Sequence, residues 1–125
     1  MPPALSPQVQ HFIAQSIHSL EQLEILCLVS SDSSRAWTVA EVFHRIQSSE
    51  ASVSASLRKF QQEGILESRA GGFQFLPTKP TLADTVRQVA RAYRERPVAV
   101  VETIYRKPPD AVRDFAEAFR LKKDK

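Results

Sequence analysis

The sequence predicts a mostly helical fold of the α+β class, in which one small β-hairpin separates two groups of helices. Three observations predict it. Ser6, Ser19, Thr38 and Ser49 each stand just before an apolar stripe of helical period, where a side-chain oxygen satisfies the free N–H groups of a helix start. Ile65–Arg69 and Phe73–Leu76 are short extended runs on either side of Ala70-Gly71-Gly72, with Gly-Gly the favoured tight-turn pair. Beyond Pro77, the prolines at 97, 108 and 109 divide a further series of helical stripes.

Ser6-Pro7 places a cap and then a proline at the first helical position, and Val9, Phe12, Ile13 and Ile17 follow at helical spacing, so a helix is expected over 7–18. Ser19 and Gln22 have the form of a capping box for a second helix over 20–30, whose Leu20, Leu23, Leu26 and Cys27 share a face. SSDSSR then favours a turn, and Ala36-Trp37 is too short for its pattern to define a strand. Thr38 and Glu41 form the clearest capping box, opening a helix over 39–47 with Val39, Val42, Phe43 and Ile46 as its stripe. Ser49 caps the next, with Val53, Leu57 and Phe60 inward, and Gly64 is placed to end it. Two short helices joined by a tight turn make a helix-turn-helix candidate.

Thr81 with Asp84 reads as the cap of a helix carrying Leu82, Val86, Val89 and Tyr93. Pro97 opens another with Val98, Val101, Ile104 and Tyr105, and Pro109 a third with Val112, Phe115 and Phe119. The expected organisation is a helix at 1–18, a central unit at 19–80 and a C-terminal helical region at 81–125.

The 125 residues suffice for one ordinary core. Net charge is +3, but residues 1–80 hold six basic against seven acidic side chains, and residues 81–125 eleven against seven. The excess positive charge therefore follows the helix-turn-helix. No apolar run approaches the roughly 20 residues of a membrane span, no secretory leader opens the chain, and one cysteine permits no internal disulfide; a cytoplasmic protein is expected.

"TVAEVFHRI" (38–46), "SEASVSASLRKFQQEGIL" (49–66) and "ESRAGGFQF" (67–75) resemble the support helix, recognition helix and wing of winged helix-turn-helix proteins, in particular the MarR-like transcription regulators. The resemblance covers about residues 19–77. It implies binding of double-stranded DNA, with helix 50–63 in the major groove, hairpin 65–76 as the wing, and the C-terminal helices as a homodimer interface. Against the family pattern, the wing turn is short and carries one basic residue.

At about 100° per residue, Ala51, Ala55, Arg58 and Gln62 face away from the apolar stripe, with Ser54 and Lys59 at its flanks. Small residues admit the helix to a groove, Ser52 and Ser54 suit phosphate, Ala55 suits a thymine methyl, and Arg58 suits guanine. Lys59 adds a cation, and Arg69 beside the Gly-Gly pair suits a minor groove. The same face also serves a solvated helix or a protein contact. Glu50 favours the helix dipole at this N-terminus, or accepts from a cytosine amino group.

Arg87, Arg91 and Arg94 share a face, as a phosphate-contacting stripe or a solvated side, and "RLKKDK" is a candidate basic arm. Phe73 and Phe75 are expected to seal the hairpin to the core, Cys27 to act as a buried apolar residue, and Tyr93, Tyr105, Phe115 and Phe119 to belong to core or dimer interface rather than an effector pocket. His11, His18 and His44 lack metal-ligand spacing, and no nucleophile elbow, phosphate loop or carboxylate pair occurs. No catalytic residue, metal or cofactor is expected, and no small-molecule effector is named by the sequence.

Overall fold

In the computed structural model the described residues are 5–106. They form helices α1 (Pro7–Ser16), α2 (Leu20–Ser31), α3 (Val39–Arg45), α4 (Glu50–Gln62), α5 (Pro80–Glu95) and α6 (Pro97–Arg106), with strands β1 (Ala36–Trp37), β2 (Leu66–Arg69) and β3 (Gly72–Phe75). The sheet is antiparallel in the order β1-β3-β2. Helices α2, α3 and α4 with this sheet make a winged-helix layout, to which α1, α5 and α6 are added. The helix expected from Pro109 and the RLKKDK arm lie outside the described residues.

The capping residues do what their chemistry predicts. Ser6, Ser19 and Ser49 accept from the backbone N–H three residues on. At α2 the box is displaced by one residue: Gln22 Oε1 accepts from His18 N at 2.8 Å, while Tyr105 Oη, reaching across from α6, accepts from Leu20 N at 2.8 Å. At α3 the box is complete, with Thr38 Oγ1 accepting from Glu41 N at 3.1 Å and Glu41 Oε1 from Thr38 N at 2.9 Å. The Thr38 N–H, aided by Arg35, holds the Glu41 carboxyl below the usual carboxylate range. Thr38→Ala is expected to lose about 1 kcal/mol of stability in urea titrations at pH 7. Because the depressed Glu41 carboxyl contributes stability only when ionised, the stability of the unaltered chain should fall as pH drops through that carboxyl's titration.

Helix α5 corrects the expected Thr81–Asp84 cap. It begins two residues earlier, at Pro80, and its N-cap Lys79 makes no side-chain cap bond. Proline's fixed φ starts the helix without a cap, so Asp84 Oδ2 accepts from Gln88 and the Thr81 carbonyl from Thr85 Oγ1.

Helix α4 ends in a Schellman motif: Ile65 N donates to Phe60 O and Gly64 N to Gln61 O, with Gly64 at φ +81. The apolar pair that accompanies this motif is Phe60 and Ile65, both fully buried. Thr78 N then donates to Gly64 O and Leu76 N to Ile65 O, returning the chain after β3 to the end of α4.

The hairpin turn also differs from expectation. Arg69 pairs with Gly72, so the central residues are Ala70 (φ +50) and Gly71 (φ +77), a primed turn, while Gly72 belongs to β3. A Cβ on Gly72 would lie 2.5 Å from Trp37 O. Strand β1 thus presses on β3 where only glycine fits, and Ala70 takes the strained left-handed position instead.

One apolar cluster joins the parts, from Val9, Phe12 and Ile13 of α1 through Leu23 and Leu26 of α2 and Val53, Leu57 and Phe60 of α4 to Val86, Val89, Val100 and Ile104. Phe75 is buried in it and Phe73 packs at its edge, as expected. Trp37 is buried under the Arg35 guanidinium, 3.8 Å from its ring centroid, and its Nε1 has no hydrogen-bond partner. No helix among the described residues is long and apolar enough to cross a membrane.

Candidate nucleic-acid interface

The helix-turn-helix is α3 and α4, joined through residues 46–49. The inward stripe of α4 is Val53, Leu57 and Phe60, and Ser56 is buried beside it, where a small side chain suits close packing. Its outward residues Ala51, Ala55, Arg58 and Gln62 are exposed, as the helical period predicts.

The six candidate contacts divide into two groups. Ala55, Ser54 and Arg58 lie together: Arg58 Nη2 donates to Ser54 Oγ at 2.7 Å, one turn back, which aligns the guanidinium along the helix. The other three are engaged elsewhere. Ser52 Oγ donates to Glu21 Oε1 of α2 at 2.5 Å. Lys59 Nζ donates to the Ser16 carbonyl at the end of α1 at 2.5 Å and pairs with Glu63 at 2.8 Å. Arg69 pairs with Glu67 across 2.9 Å, both more than half exposed.

Lys59 ties α4 to α1, where a cation also complements the carbonyl end of a helix. Ser52 likewise ties α4 to α2. Glu50 is exposed in the first turn of α4, the dipole position expected of it. Sequence spacing could not disclose Glu21 or Ser16 as partners, since both are distant in the chain; the Lys59–Glu63 pair, four residues apart, was open to reading.

Among the described residues no His, Cys, Asp and Glu cluster could hold a metal ion. Cys27 is partly buried, and burial pushes its thiol up to about 11, against the opposing pull of Arg94. The thiolate, which is the reactive form, is therefore scarce at neutral pH. Tyr93 Oη donates to Glu24 at 3.4 Å, so both described tyrosines hydrogen-bond to α2. No family model, curated protein or solved structure matches this chain.

Proposed function

We propose that the chain is a DNA-binding transcription regulator of the winged helix-turn-helix, MarR-like kind, acting as a homodimer on double-stranded DNA. The observation that carries the reading is the outward strip of α4, where Ala51, Ala55, Arg58 and Gln62 leave a narrow helix face that carries one guanidinium. Such a face enters a major groove closely and places a bidentate donor against a base edge. The hairpin, with Arg69 at its tip, serves as the wing. Exposed Val98 and Tyr105, seven residues apart on α6, supply an apolar strip for the second copy.

A second reading, a winged helix used for protein association, is favoured by one specific feature. Three basic residues of this unit, Arg35, Lys59 and Arg69, are ion-paired with Glu41, Glu63 and Glu67, which lowers the attraction to phosphate that usually underlies DNA affinity. Fluorescence anisotropy of duplex DNA against salt separates the two. On the DNA reading, Arg58→Ala weakens binding and lowers the salt slope by about one, whereas Lys59→Ala leaves the slope in place and destabilises the fold. Absence of binding at low salt, or Arg58→Ala indistinguishable from wild type, favours the protein-association reading.

A further inference from the structure

Arg87, Arg91 and Arg94 line a cleft of about 510 Å³ between α5 and the C-terminal part of α2. A second cleft of about 410 Å³ shares Cys27, Ser31 and Tyr93 with the first and extends it to Arg45 and Ile46, where α3 ends. Together they form one groove running from α5 to the helix-turn-helix.

Charge in this groove is unbalanced. Arg91 is paired with Glu95 at 3.0 Å, but Arg45, Arg87 and Arg94 make no ion pair with any described residue. The remaining carboxylate that lines it is Glu24, which accepts from Tyr93. The carbonyl end of α2 adds about half a negative charge. A surplus of between one and two positive charges is left on a concave wall, which focuses its field outward.

We infer that this groove binds a small organic phosphate monoester, with the phosphate between Arg87 and Arg94 and the organic part against Tyr93, Cys27 and Leu28. A phosphate monoester carries about −1.5 to −2 at neutral pH, which matches the surplus; a monocarboxylate, with a single charge, leaves part of it unbalanced. Guanidinium forks take phosphate oxygens in pairs, a geometry that a lysine cannot reproduce. The apolar side of the groove is what selects an ester over the free ion, and a space of this size suits a small molecule. Bound there, the ligand bridges α5 and the end of α3. This inference stands independently of whether α4 reads DNA.

Isothermal titration of the full chain at low ionic strength with phenyl phosphate, inorganic phosphate and benzoate tests it. Phenyl phosphate should bind at least about tenfold more tightly than either of the others, given a matched charge and a filled apolar side. R87Q/R94Q should weaken it by about tenfold or more with an unchanged unfolding temperature in the absence of ligand, since both arginines are exposed and unpaired. Arg106→Gln, at a paired arginine outside the groove, should leave binding as it is. Inorganic phosphate binding as tightly as the ester would mean an adventitious ion only and overturn the proposal, as would equal affinity in the double variant or no binding at millimolar concentration.

Discussion

Phe60→Ala is expected to remove about 3–5 kcal/mol of stability, the range for a large aromatic lost from a core. Phe60 is fully buried and heads the largest enclosed side chains of the cluster. It also closes the Schellman end of α4 against Ile65, so the truncation leaves a cavity beneath the helix terminus as well as under the helix. Against a typical total of about 5–15 kcal/mol, that is a large share. Urea unfolding should show a lower midpoint at both the Trp37 fluorescence and the far-ultraviolet dichroism signals. Because a single cluster runs from α1 to α6, the two signals should shift together. Separate transitions would refute the single shared core.

Gly72→Ala is the second. The added methyl would meet Trp37 O at 2.5 Å and Thr38 N at 3.1 Å, both backbone atoms that cannot rotate aside. Relief requires β1 to move away from β3, and a cost of about 3 kcal/mol, the upper end for overpacking, is expected. Gly71→Ala is the natural control. A Cβ there meets open space, so its penalty is that of the left-handed backbone alone, about 1–2 kcal/mol. Thermal unfolding should rank the variants in that order, and Trp37 emission in the native state should change for position 72 and not for 71. Equal losses would show that β1 yields freely.

These sites mark where local pattern reading succeeds and where it stops. Thr38 and Glu41 interact within one turn, so their capping box is legible from spacing, as are Val53, Leu57 and Phe60, whose burial follows from period alone. The choice of Ala70-Gly71 over Gly71-Gly72 at the hairpin tip is different. It is decided by β1, a two-residue strand with too little sequence to announce itself, whose carbonyl reserves Gly72 for the sheet. Pro80 displaced the expected Thr81 cap because a fixed φ starts a helix as well as a hydroxyl does. For the candidate site, Ala55 and Arg58 were legible as outward-facing. The engagement of Ser52 with Glu21 and of Lys59 with Ser16 depends on how α1 and α2 pass behind α4, which no spacing rule encodes.

Those two engagements have a mechanical meaning. Helix α4 is held near its start by α2 through Ser52 and near its end by α1 through Lys59, while its outward strip is left untouched. These two ties add to the packing of Val53, Leu57 and Phe60, which seat the inner face of the helix in the core. The orientation of the Arg58 face is thus set from behind, by side chains of α4 that point away from it and by the elements they meet.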